Sequence, residues 1–142
     1  MLPDILQRFT EVYTHLQKGQ LDALKTVYSP TIEFQDPLHQ VQGYPAFEAY
    51  FTALYSNLQS CNFAINNLFY QDNQACVIWT MTFVHPHLNS GQAVNVEGAS
   101  HLQFSEHYIE KHRDYTDLGQ MLYEHIPVLG GLIRSVKKRA AA

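Results

Sequence analysis

The sequence predicts an α+β fold: helices first, then an antiparallel sheet, then a helical C-terminal extension. Three observations carry that expectation. Apolar residues recur at a helical period up to about residue 58. From about Asn62 to Tyr115 the chain becomes rich in β-branched and aromatic residues, with turn signals at "QDNQ" and "HLNSGQ". In "LGQMLYEHIPVLGGLIRSVKKRAAA" the helical period returns, broken at Pro127.

The elements follow in order. In "LPDILQRFTEVYTHLQKG", Ile5, Phe9, Val12, Tyr13 and Leu16 fall on one helical period. Pro3 suits a first turn, Asp4 favours the positive end of the helix dipole, and Gly19 can close the helix in the left-handed conformation. A shorter helix through Leu21, Leu24, Val27 and Tyr28 is expected to stop at Ser29-Pro30. "TIEFQD" alternates as a strand does. The third helix opens at Gly43-Tyr44-Pro45 and runs on Phe47, Tyr50, Phe51, Leu54, Tyr55 and Leu58. Strands near 62–70, 74–85, 93–105 and 108–116 are expected to form a meander. In "VNVEGASHLQF", Val94, Val96, Gly98, Ser100, Leu102 and Phe104 share one face, and Asn95, Glu97, His101 and Gln103 the other.

A length of 142 residues predicts one domain over 1–142, with a core at about 5–117 and an amphipathic extension over 118–142. On the last helix Leu129, Leu132, Ile133 and Val136 line one side, with Arg134, Lys137 and Lys138 on the other. Four of the nine Lys and Arg lie between 134 and 139. Such a helix either lies on a membrane surface or packs on its own domain with cations complementing its C-terminal dipole.

Composition narrows the function classes. The chain is 46% apolar and 15% charged, and its net charge of -4 argues against a nucleic-acid binder. Aromatics reach 13%, enough to line a ligand cavity. Cys61 and Cys76 lack CxxC spacing, and "MLPDILQRF" lacks the pattern of a signal peptide, so a reduced, cytoplasmic protein is expected. "HPH" at 85 to 87 has no third ligand at motif spacing, and no metal or other cofactor is expected.

Two stretches carry candidate chemistry. "IEFQDPLHQVQGY" ends a strand in Asp36-Pro37 and places His39 three residues on. The carboxylate and imidazole could form a proton-transfer pair, or Asp36 could simply start a turn. In "IEKHRDYTD", alternation places Glu110, His112 and Asp114 on one face and Lys111, Arg113 and Tyr115 on the other. That row is either an acid–base group or an exposed run of charge. Asp117 is expected to cap the helix beginning at Leu118.

The sequence resembles the SnoaL-like branch of the nuclear transport factor two-like superfamily. Three signatures carry the resemblance: Gly19 through "LDALKTVYSP" to "IEFQDP", Gly43 ahead of the third helix, and "GASHLQF" leading into "IEKHRDYTD". The resemblance implies a cone-shaped fold with three N-terminal helices packed in a curved antiparallel sheet, a pocket at the open end, and a homodimer formed through the sheet. The superfamily includes polyketide cyclases, ketosteroid isomerases, small epoxide hydrolases, dehydratases and non-enzymatic binding modules, so the site must be argued residue by residue.

By that resemblance Asp36 stands where ketosteroid isomerases carry their general base. Val12 stands where their tyrosine donor lies, with Tyr13 about 100° away around the helix. Ser100, followed by His101, stands near their acidic donor, so a steroid isomerase is not expected. His112 and Asp114 lie where SnoaL-like cyclases carry an acid–base pair. An epoxide hydrolase needs an arginine bridging two aspartates, whereas Arg113 should point away from Asp114. The catalytic candidates are therefore Asp36, His39, His112 and Asp114, and the ligand-contact candidates are Tyr13, Tyr28, Tyr50, Trp79 and Ser100. The expected ligand is a small, mostly apolar molecule, either turned over by carboxylate chemistry or held by a non-catalytic accessory module.

Overall fold

A computed structural model describes residues 1–142. Helix α1 spans Asp4–Thr14, and a 3-10 turn spans Leu21–Thr26. Strands β1 (Tyr28–Gln35) and β2 (Gln40–Gln42) form a hairpin, followed by helix α2 (Tyr44–Ser56). Strands β3 (Ser60–Gln71), β4 (Gln74–Val84), β5 (Val94–Phe104) and β6 (Ile109–Thr116) form the meander. Helices α3 (Leu118–Met121) and α4 (Leu129–Ala141) complete the chain.

The six strands make one sheet in the order β2-β1-β6-β5-β4-β3. Every neighbouring pair is antiparallel except β1 and β6, which run parallel. The expected antiparallel sheet is thus a mixed one, because β6, the last strand of the meander, returns to lie beside β1 in the same direction. Bulges at Asn66 in β3 and at Glu110 in β6, opposite the Gln103–Phe104 step of β5, bend the strands, and the sheet curves around the helices.

α1 packs on β3 and α2 on β1. The core is built from Phe9, Tyr28, Ile32, Phe34, Phe47, Val77, Leu102 and Ile109, each nearly fully buried. The expected faces of β5 are observed: Val94, Val96, Ser100, Leu102 and Phe104 are buried, while Asn95, Glu97 and His101 are exposed. α2 begins where expected, with Gly43 in the left-handed region at φ 85° and Pro45 in its first turn.

Four local expectations need correction. The second helix is a single 3-10 segment, and Tyr28 belongs to β1 rather than to that helix. Ser29-Pro30 does not stop an element; Pro30 sits within β1 where the register with β6 breaks between Tyr28 and Glu33, so its missing N–H costs no ladder bond. The three-residue β2 falls in a stretch read as loop.

The fourth correction concerns α4. Its cations, not its apolar residues, turn toward the body: Lys137 pairs with Asp117 (3.0 Å) and Glu124 (3.2 Å), and Arg134 Nη1 donates to the Glu124 carbonyl at 2.7 Å. Gly130 permits this approach, since a Cβ there would lie 2.2 Å from the Glu124 carbonyl oxygen. Leu129, Leu132 and Val136 are left exposed. No helix is long and apolar enough to cross a membrane.

Candidate functional site

A cavity of about 300 Å³ opens between α2, the inner face of the sheet and the start of the C-terminal extension. Fifteen of its 21 lining residues are hydrophobic, which suits an apolar guest. Phe34 comes from β1, Tyr50, Phe51 and Tyr55 from α2, Phe63 from β3, and Trp79, Met81 and Phe83 from β4. Met121 and Leu122 complete the wall from α3 and the residue after it. Asp36 and Asp114 are the charged carboxylates on this surface.

Trp79 holds its place because its partner in the β4–β5 register is Gly98. A Cβ on Gly98 would lie 2.3 Å from the indole ring, so only glycine admits the tryptophan here. Phe63 meets Trp79 edge-on at 5.6 Å between ring centroids. The indole Nε1–H donates to Ser100 Oγ at 2.9 Å.

Behind this wall runs a chain of buried hydrogen bonds that crosses from α1 to the sheet. Tyr13 and Tyr28 hydroxyls lie 2.5 Å apart. Tyr28 Oη is 2.7 Å from His112 Nδ1, and His112 Nε2 is 2.6 Å from Asp114 Oδ1. Ser100 Oγ donates to the same oxygen at 2.5 Å.

The direction of the chain follows from its chemistry. A carboxylate only accepts, so a neutral His112 carries its proton on Nε2 and presents Nδ1 as an acceptor. Tyr28 O–H then donates to Nδ1 and accepts from Tyr13 O–H. Burial holds the Tyr13 and Tyr28 phenols well above their ordinary range, so both remain neutral donors. Asp114 Oδ2 takes part in none of these bonds and remains available on the cavity wall.

Asp36 is held differently. Its Oδ1 accepts the backbone N–H groups of Leu38 and His39, both at 2.8 Å, and so organises the β1–β2 turn. The other oxygen accepts a short hydrogen bond from Tyr50 O–H. Burial first, and then the bond to Asp36, raises the Tyr50 phenol above its ordinary range. Of its two readings, Asp36 takes the turn, and it does so from the cavity lining without pairing with His39.

The structure brings Asp36, Tyr50, Trp79 and Asp114 together on the cavity. Tyr13, Tyr28, Ser100 and His112 are not on its lining and cannot be direct ligand contacts in this geometry; they support Asp114 from behind. His39 is exposed, and its imidazole lies against the Tyr50 ring at 4.9 Å rather than on the Asp36 carboxylate. Arg113 points to the opposite face, as its alternation with Asp114 requires, and its guanidinium lies 4.8 Å above the Tyr115 ring.

Sequence reasoning passed over Tyr55 and Cys61. Tyr55 lines the cavity at 5% exposure, and its hydroxyl is the one buried side-chain polar atom without a hydrogen-bond partner. Burial pushes the neighbouring Cys61 thiol up to about 11. A tyrosine on the apolar stripe of a helix carries no signal that its hydroxyl will be unpaired. That depends on what the sheet places opposite.

Architecture and site together define a class: an α+β cone whose curved sheet encloses one apolar, carboxylate-bearing cavity. The SnoaL-like domain matches residues 9–112, and the chain belongs to this family. The fold is shared with a SnoaL-like polyketide cyclase candidate from Jannaschia sp. CCS1 (TM-score 0.73, 17% identity, 88% of this chain and 90% of that chain). It is shared too with a protein of ketosteroid isomerase-like fold from Catenulispora acidiphila DSM 44928, solved in complex with trimethylamine (0.75, 14%, 89% and 96%). A third similar structure is TerC co-crystallized with polyporic acid (0.69, 11%, 80% and 91%). No curated protein matches the sequence.

Proposed function

We propose that this protein binds a small, mostly apolar molecule in its cavity and moves a proton on it, with Asp114 as the acid–base group. The observation that carries this reading is the buried chain Tyr13–Tyr28–His112–Asp114, which ends on the cavity wall. His112 orients Asp114 through its Nε2–H, so a proton taken from the ligand stays on the Asp114 carboxyl at the cavity wall. Asp36 fixes Tyr50 on the cavity wall.

The test is α-proton exchange of a small apolar ketone such as 2-tetralone in D2O, followed by NMR. Exchange is expected with the wild type and should fall about 100-fold or more in Asp114→Asn. Binding without exchange would instead support a non-catalytic binding module. That second reading is favoured by the scarcity of free donors: Tyr50 O–H is committed to Asp36, leaving Tyr55 as the buried hydroxyl with a proton to offer.

A homodimer through the outer sheet face belongs to the same proposal. Tyr115 and Phe69 stand 51% and 59% exposed there. Sedimentation is expected to give a dimer that Tyr115→Glu weakens; a monomer at all concentrations would overturn this.

A further inference from the structure

We propose that the cavity selects hydrophobic amines in their protonated form and rejects anions of the same shape. The inference deepens the reading of the cavity as the ligand site and rests on it.

The charges on the cavity wall are one-sided. Asp36 and Asp114 both line it, and no lysine or arginine does. His85 is the sole lining residue able to become cationic, and its Nδ1 is taken up by the His87 backbone N–H at 3.0 Å. Arg113 lies across the sheet on Tyr115, and Lys18 is spent on the Leu58 carbonyl at 2.6 Å. Both carboxylates act on the same phenol, since Asp36 and Asp114 each help raise Tyr50. The β1–β6 register pairs Gln35 with Arg113, so Asp36 and Asp114, one residue further on, stand side by side at one end of the cavity.

An anion entering this space loses its hydration and meets two like charges with no cation to receive it. An ammonium meets the opposite situation. Asp114 Oδ2 is an unused acceptor on the wall, with the side chain 20% exposed. The faces of Trp79, Phe63 and Tyr50 attract a cation through their ring quadrupoles. The remaining apolar wall covers a hydrocarbon skeleton, so a compact hydrophobic amine matches both the charge and the lining.

Trp79 is the chain's sole tryptophan and lies on the cavity, so its fluorescence reports directly on occupancy. Three probes with one skeleton separate charge from shape: 1-adamantanemethylamine, 1-adamantanemethanol and 1-adamantanecarboxylate. Titrated at neutral pH, the amine is expected to bind at least about ten-fold tighter than the alcohol, and the carboxylate weakest of all. Asp114→Asn and Asp36→Asn, checked for folding by circular dichroism, should each shrink the amine-to-alcohol ratio. Equal binding of the three probes, or preference for the carboxylate, would overturn the charge inference while leaving the cavity as a ligand site. No response of Trp79 to any probe would overturn the cavity reading, and this inference with it.

Discussion

Asp36 and Asp114 face the same cavity but are held by different kinds of structure. Asp36 sits at a hairpin tip, where two backbone N–H groups two and three residues away satisfy one oxygen. Asp114 sits inside the sheet, where its partners come from β5 and β6 and, through His112, from β1 and α1. The first arrangement is local and would form in almost any β1–β2 turn. The second exists only when the whole fold is assembled. A carboxylate that organises a turn is tolerant of its surroundings, whereas one at the end of a buried chain has its orientation fixed by distant parts of the protein.

That contrast can be broken most forcefully at His112. His112→Phe keeps the ring but removes both nitrogens, leaving the Asp114 carboxylate and the Tyr28 hydroxyl short of a partner in a site where His112 is 3% exposed. The expected loss is about 3 kcal/mol in urea denaturation, since two groups, one of them a carboxylate, each lose a hydrogen-bond partner at about 1–3 kcal/mol. A loss below about 1 kcal/mol would show that the chain is not a stabilising unit. Gly98→Ala should come next, at about 1–3 kcal/mol, because the added methyl collides with the indole. A blue or red shift of Trp79 emission would accompany it.

At the other carboxylate the effect should be smaller. Asp36→Ala removes a turn acceptor and is expected to cost about 1 kcal/mol, comparable with the loss of a helix cap. Its thermal midpoint should fall less than that of His112→Phe, and the reverse order would overturn the distinction between the two sites.

The smallest expected effect lies in the extension. The Lys137 hydrogen bond first, with the Gln120 N–H next, holds the Asp117 carboxyl below its ordinary range. A depressed folded-state value means that this stabilisation is present above about 3.8, the ordinary Asp value, and is lost as pH falls through the lower folded value. Hydrogen-exchange protection factors across 118–141 should therefore fall in acid, and Lys137→Gln should flatten that fall.

The same contrast explains what was legible in the sequence. Strict alternation separated the two faces of β5 and put His112 and Asp114 on one face of β6, but it left open whether that face was buried or exposed. Pro45 after Gly43 marked the start of α2. The hydrogen-bond chain could not be read, because Tyr28 and His112 are 84 residues apart and neither periodicity nor spacing encodes that pairing. Tyr28 itself was misplaced because Leu21, Leu24 and Val27 continue a helical spacing that the parallel pairing with β6 overrides. In α4 the apolar stripe was visible, but its orientation was not. The inward side is built from Gly130 and the contacts of two cations, Arg134 and Lys137, none of which registers as a hydrophobic face.

The parallel seam between β1 and β6 has a kinetic consequence. The β3–β6 meander closes through short turns, whereas joining β1 to β6 requires a loop spanning most of the chain, at a higher entropic cost. The seam is thus expected to zip after the meander, and Asp114 to acquire its fixed orientation only at that step. In stopped-flow refolding, burial of Trp79 should precede the recovery of ligand binding. A nascent chain would then pass through a compact state that has a hydrophobic interior and an unfinished acid–base group, and would gain its chemistry only in the final closure.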